Sequence, residues 1–271
     1  MPKDRDRARA KRRYAKRQAS AQARAARRRR NQAVIGTVVT VLLVAVGVLA
    51  LTRMVGGSSS SAAAPGTTAP RPTASDASNP CRTPAAAEVP TAAPSFASAP
   101  PKALAAGKVW DATVTTSCGP IQLELYGDKA PQTVASFIFL SRQKYYDGSP
   151  CHRLTSSPAL KVLQCGDPTG SGTGGPGYGY GIENAPKDGR YPAGTLAMAR
   201  SDSPTSNGSQ FFITYGDSTL PTQGGGYSVF GKVTKGLDVL DKVAAGGTTN
   251  GQSDGTPARA ISIESITVTP R

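Results

Sequence analysis

Cys151-His152-Arg153, Val162-Leu163-Gln164-Cys165-Gly166-Asp167 and Ser206-Asn207-Gly208-Ser209-Gln210-Phe211-Phe212-Ile213 decide how this chain is read. The second and third contain short apolar runs bounded by Gly, Asp or Asn, the pattern of strands in a β-rich domain. Arg153, Gln164 and Gln210 lie within or beside these runs. A lone arginine is ordinarily a surface charge, so it is the surrounding motif that makes Arg153 a candidate functional residue.

Upstream, residues 109–116 and 121–126 read as strands around the turn Ser117-Cys118-Gly119-Pro120, which predicts an opening hairpin. Asp128 and Pro131 mark a helix start, and Val134, Phe137, Ile138 and Ser141 share one face of that helix. Downstream, clusters of Gly, Pro, Asn and Asp separate short apolar runs. A second helix is expected over 236–245, with Leu237, Leu240 and Val243 at spacing three. A final strand is expected over 261–268, its alternation shifting phase between Ile263 and Ile266 as at a bulge. Many strands and two helices predict a mainly β domain, a closed barrel capped at its ends.

The chain has 271 residues and a formal net charge of +15, but residues 1–30 hold 14 Lys or Arg against Asp4 and Asp6 alone. Clustered Arg27-Arg28-Arg29-Arg30 suits phosphate contact. The next segment argues against nucleic acid as the partner, because residues 33–52 carry no charged side chain. About 20 residues at ~1.5 Å rise span a hydrocarbon layer ~30 Å thick. The expectation is a basic cytoplasmic tail at 1–32 and a single transmembrane anchor at 33–55 in contact with lipid. The positive flank keeps the N-terminus inside a cytoplasmic membrane and the remainder outside it. Both the apolar run and the basic flank are long for a cleaved signal peptide. Residues 56–103, rich in Ser, Ala, Pro and Thr with Phe96 their only aromatic, read as a flexible linker. Residues 104–271 are long enough for one sizeable core.

Two further motifs fail in context. Gly170-Ser171-Gly172-Thr173-Gly174-Gly175 has the spacing of a dinucleotide fingerprint, but Pro176 stands where a helix should begin. Gly251-Gln252-Ser253-Asp254-Gly255 has the spacing of a nucleophile elbow, yet it lies among turn residues and reads as a flexible loop. Zinc is not expected, with no Cys-x-x-Cys and one histidine. Four cysteines in an exported domain favour disulfides, and the residues by themselves leave three pairings open.

Taken with Ala130-Pro131, Tyr145-Tyr146-Asp147-Gly148 and Val229-Phe230-Gly231-Lys232-Val233, the opening motifs resemble the cyclophilins over residues 109–268. The resemblance implies a closed antiparallel barrel of about eight strands with two capping helices, and peptidyl-prolyl cis-trans isomerase (rotamase) activity needing no cofactor or metal. It implies Arg153 as the donor to the prolyl nitrogen, with Gln164 and Gln210 orienting it and binding substrate backbone, and His152 beside it. Phe212, Val162 and Leu220 match positions lining a proline pocket, while Ala199 and Tyr227 match positions facing the peptide. For Phe211-Phe212, core packing and pocket lining are both expected, since neighbours on a strand face opposite sides. The resemblance puts Cys151 and Cys165 on adjacent antiparallel strands, implying the pairs Cys151 with Cys165 and Cys81 with Cys118. Leu160-Lys161 stand where a pocket phenylalanine is frequent, Tyr227 where a histidine is, and Arg200 where an asparagine is. Behind an anchor, this implies a monomeric, membrane-tethered catalyst for folding of exported proline-containing proteins. The alternative is a cyclophilin-like peptide-binding or chaperone module with weak or no turnover.

Overall fold

The opening hairpin forms from β1 (Val109–Thr116) and β2 (Gly119–Tyr126), paired along their whole length. Alternation puts Trp110, Ala112 and Val114 of one strand and Ile121, Leu123 and Leu125 of the other into the core. A computed structural model of the chain describes Cys81, Pro90 and residues 92–271. The expected tail (1–32), the anchor (33–55) and most of the linker lie outside these residues. Among the described residues, no helix is long and apolar enough to cross a membrane.

After the hairpin come helix α1 (Pro131–Arg142), β3 (Arg153–Ser157) and β4 (Leu160–Cys165). Next are β5 (Arg190–Tyr191), β6 (Thr195–Met198), β7 (Phe211–Thr214), β8 (Ser218–Thr219) and β9 (Val229–Lys235). Helix α2 (Leu237–Ala244), β10 (Asp254–Gly255) and β11 (Ile263–Pro270) complete the chain. Nine strands make one antiparallel sheet in the order β10-β3-β4-β7-β6-β9-β2-β1-β11, and β5 pairs separately with β8.

This differs from the expected closed barrel of about eight strands, because β3 and β11 are not laddered to each other. Their approaches are joined by Cys151 N–H to Ile261 O at 2.9 Å, and by Gly148 N–H to Ile263 O and Ile263 N–H to Ser149 O, both at 2.8 Å. Pro150, which bridges to Ser262, has no N–H to extend a ladder there. On the other side of β11, the register with β1 steps from Thr115 opposite Ser265 to Thr116 opposite Ile263. It thereby skips Glu264, at the bulge the phase shift predicts.

Helix α1 buries Val134, Phe137, Ile138 and Ser141 as expected, together with Thr133, Ala135, Ser136 and Leu140. Its start is not capped locally, since the N-cap residue is Ala130. The orphan amides are met from a distant loop instead: Glu183 Oε1 accepts from Gln132 N–H at 3.1 Å, and Oε2 accepts from Thr133 N–H and Oγ1, both at 2.8 Å. A carboxylate there also complements the positive end of the helix dipole. Helix α2 buries Leu240 and Val243 with Val239, and Leu237 is half-buried.

Both expected disulfides are present, Cys81–Cys118 and Cys151–Cys165. The folded contacts begin ahead of residue 104. Phe96 stacks edge-on to Phe139 at 5.0 Å, and its N–H donates to Pro176 O at 2.8 Å, so the last part of the expected linker already packs on the domain. Replacing the remote cap, Glu183→Ala, is expected to lower the unfolding free energy by about 1–2 kcal/mol without changing secondary structure, as read by denaturant titration of the described domain against wild type.

Candidate active site

Strand alternation divides β3, β4, β7, β6 and β9 into two apolar faces. Leu154, Leu163, Phe211, Ile213, Leu196 and Phe230 enter the main core, where Phe211 packs 5.6 Å from Phe137. Val162, Phe212 and Ala197 point the other way and join Tyr191 in a second cluster, with Leu160, Ala199, Leu220, Tyr227 and Val229 packed against it. The Phe211-Phe212 pair therefore serves both faces.

The second cluster floors a cavity of about 240 Å³ lined by Arg153, Leu160, Val162, Gln164, Ala199, Arg200, Phe212, Thr219, Leu220, Pro221 and Tyr227. Seven of the residues expected at the site, Arg153, Gln164, Phe212, Val162, Leu220, Ala199 and Tyr227, are thus brought together. Leu160 takes part in the wall, while Lys161 packs against Gly216, where an added Cβ would lie 2.5 Å from its Cδ. The remaining edge is held by Arg200. Its guanidinium lies 5.0 Å from the Tyr227 ring centroid, and its Nε donates to Gly226 O at 2.7 Å, pinning the glycine turn that carries Tyr227. A larger groove of about 800 Å³ adjoins the cavity along Gln164, Ala199 and Arg200. Arg153 lines only the smaller one.

Register places the polar residues. Arg153 lies directly opposite Gln164 in the β3–β4 ladder, and Gln164 opposite Phe212 in the β4–β7 ladder. Arg153 Nη1 donates to Gln164 Oε1 at 3.2 Å, and Gln164 Nε2 to Gln210 Oε1 at 2.9 Å. Gln210 Nε2 donates to the carbonyls of Gly172 and Gly174 at 3.0 and 2.9 Å. Each amide thereby has an assigned orientation.

The glycine-rich segment that carries those carbonyls folds around a buried carboxylate. Asp167 Oδ1 accepts from Thr169 N–H and Oγ1 at 2.9 and 2.7 Å, and Oδ2 from Gly174 N–H and Ser171 Oγ at 3.0 and 3.2 Å. Burial alone would raise its pKa, but these hydrogen bonds outweigh it and hold the carboxyl below the ordinary range. At Gly174 any Cβ would sit 2.1 Å from Asp167 Oδ1, so the glycine is a steric requirement. Asp167 stood in the opening motif without a role, and the use of its carboxylate depends on contacts made only when the loop closes.

Two expectations are corrected by placement. His152, expected beside Arg153 at the site, does not line the cavity. Its ring packs against Gly172, and both nitrogens are shielded without a hydrogen-bond partner among the described residues. Burial lowers its pKa, opposed by Asp167 and assisted by Arg153, so the ring is neutral at neutral pH. The 251–255 segment, expected to be a flexible loop, is a hydrogen-bonded turn whose exit pairs with β3. Asp254 on that turn accepts from Arg153 Nε and Nη2 at 2.8 and 2.7 Å, a contact the sequence did not reveal. Among the described residues, no group of three His, Cys, Asp or Glu side chains could hold a metal ion.

A mainly β sheet with two helices, carrying an arginine and two glutamines beside an apolar cavity, defines the class, and the comparisons agree. A family profile described as cyclophilin type peptidyl-prolyl cis-trans isomerase/CLD matches residues 112–268. The chain belongs to that family. It is 47% identical over 166 residues to the probable peptidyl-prolyl cis-trans isomerase B of Mycobacterium tuberculosis, covering 57% of this chain and 53% of that protein. It is 44% identical over 207 residues to the protein of the same description from Mycobacterium leprae, covering 72% and 64%. The chain thus spans between half and two thirds of the length of these curated relatives. A crystal structure of a Cryptosporidium parvum cyclophilin type isomerase superposes with a TM-score of 0.50 at 29% identity, covering 60% of this chain and 99% of that one.

The depressed Asp167 pKa fixes the sign of a pH effect. Unfolded, the group titrates near ~3.9. Its contribution to stability is complete above that value and is lost as pH falls through the lower folded value. Asp167→Asn is expected to be less stable than wild type by about 2–3 kcal/mol at pH 7, with the difference shrinking below pH ~4 in unfolding titrations across that range.

Proposed function

We propose that this chain is a peptidyl-prolyl cis-trans isomerase acting on exported proline-containing polypeptides, without covalent chemistry. Partial double-bond character makes the barrier to peptide rotation ~18–20 kcal/mol. The step before proline consequently takes tens to hundreds of seconds uncatalysed. Rotation localises the nitrogen lone pair, so an N–H donor aimed at that nitrogen stabilises the transition state more than the ground state. Each ~1.36 kcal/mol of that difference is a factor of ten in rate.

The observation that carries the reading is the position of Arg153 on the rim of an apolar cavity floored by Phe212 and Val162. In this reading the proline ring enters that cavity against Phe212, Val162, Leu160 and Leu220. The peptide lies along Ala199, Tyr227 and Gln210, and Arg153 donates to the prolyl nitrogen. Of the five N–H groups of a guanidinium, three are used, by Asp254 twice and Gln164 once. One remains on each Nη for substrate. The low-polarity wall strengthens the donated bond. A solved Cryptosporidium parvum cyclophilin in the presence of the dipeptide Ala-Pro, 30% identical, gives the substrate class further support. The neutral, shielded ring of His152 is assigned no catalytic part.

The apolar run at 33–52 and the basic residues ahead of it support a single-pass anchor in a cytoplasmic membrane, with the isomerase domain outside. On expression of the full chain, the protein is expected in the membrane fraction, with the domain cleaved by protease added from the extracytoplasmic side. Recovery of the full chain in the soluble fraction overturns the anchor.

Isomerisation of an X-Pro test peptide should be accelerated by wild type and lowered about a hundredfold or more by Arg153→Ala, with peptide binding partly retained. Equal background rates for both would leave the alternative, a peptide-binding module without useful turnover.

A further inference from the structure

Arg153 is held from two sides. In the antiparallel ladder of β10 with β3, Asp254 pairs with Thr155, which puts Asp254 diagonal to Arg153 and on the same face. On the other flank Gln164 is its direct cross-strand partner. The two acceptors divide the guanidinium: Asp254 takes Nε and Nη2, while Gln164 takes Nη1. A carboxylate bonded side-on through two parallel N–H groups fixes the plane of the guanidinium as well as its position. Without it, Gln164 supplies one bond at 3.2 Å, about which the group can swing.

The segment that brings Asp254 here is built for the purpose. Thr248 Oγ1 donates to Gln252 O at 2.6 Å, Gln252 N–H to Asn250 Oδ1 at 3.0 Å, and Asn250 Nδ2 to Asp254 O at 3.2 Å. The turn is docked on β3 by Ser156 N–H to Ser253 O at 2.8 Å. At Gly255 an added Cβ would meet the Asn250 side chain at 2.8 Å, which keeps the exit of the turn free of a side chain. Asp254 itself does not line the cavity. It reaches the site only through Arg153.

We propose that Asp254 is a positioning residue for the isomerase reaction: its carboxylate locks the Arg153 guanidinium in the plane that leaves the remaining Nη hydrogens facing the apolar cavity. This rests on the isomerase reading. An acceptor that orients the donor without touching substrate acts on turnover rather than on binding.

The test compares full-length wild type, Asp254→Ala, Asp254→Asn, Asp254→Glu and Arg153→Ala on an X-Pro peptide, with kcat and KM separated and the thermal unfolding midpoint of each recorded. The expected result is a kcat lowered about tenfold in Asp254→Ala with KM within about twofold, and an intermediate kcat in Asp254→Asn, which keeps one acceptor. Asp254→Glu restores most of the turnover. The unfolding midpoints stay close to wild type, since an exposed pair adds little stability. Asp254→Asn is nearly isosteric, so it carries the same comparison if the alanine variant folds poorly. A kcat within about twofold of wild type for both Asp254→Ala and Asp254→Asn, while Arg153→Ala falls to background, overturns the positioning role and leaves the isomerase reading intact. A rise in KM with kcat unchanged, or no recovery in Asp254→Glu, also overturns it. Wild type indistinguishable from Arg153→Ala at background defeats the isomerase reading, and this inference with it.

Discussion

Successive side chains of a strand leave it on opposite sides, and here both sides are apolar. The strands around β4 and β7 are therefore asked to floor two hydrophobic compartments at once, a closed core and an open cavity. A slip of one residue along β4 would exchange Leu163 with Gln164, taking the amide off the cavity face and burying it in the core. Aromatic packing of Phe211 against Phe137 and Tyr146 on the closed side resists that slip. The register that builds the core is thus the same register that lines Arg153 up with Gln164.

Around that sheet the polar groups are satisfied by partners far away in sequence. Glu183 caps a helix that begins about fifty residues earlier, Asp167 gathers the glycine-rich loop, and the carbonyls of that loop fix Gln210. Gln210 in turn fixes Gln164, and Gln164 meets Arg153. In the isomerase reading proposed above, the donor facing the apolar wall has to be ordered before substrate arrives, because reorganising it during the reaction would consume the advantage it confers. The continuous bonding from the loop to the guanidinium meets that requirement, with the Cys151–Cys165 disulfide flanking the Arg153–Gln164 pair in sequence.

The opening hairpin, the closing strand, both helices and the bulge near Ile263 and Ile266 were legible because each is written in local period and punctuation. The same is true of Arg153, Gln164, Gln210 and Phe212, whose spacing resembles a known family. His152 is the exception among the motif residues, since it does not line the cavity. It precedes β3, whose first residue is Arg153, so strand period does not place its ring, and packing against Gly172 does. The closed eight-stranded ladder was not legible either, since whether two sheet ends join depends on the donors available around Pro150.

Asp254 marks the division between the two kinds of information. Sequence alone determined the opening hairpin, both helices and the closing strand, and that an arginine stands among residues matching a pocket, because hydrophobic period, proline, glycine and family spacing act over a few neighbouring residues. Tertiary structure decided what holds that arginine. The carboxylate that grips it lies 101 residues further on, in a turn whose composition suggested only a loop. A hydrogen bond constrains distance in space and leaves no period in the chain, so such a partner becomes visible only once β10 has docked on β3.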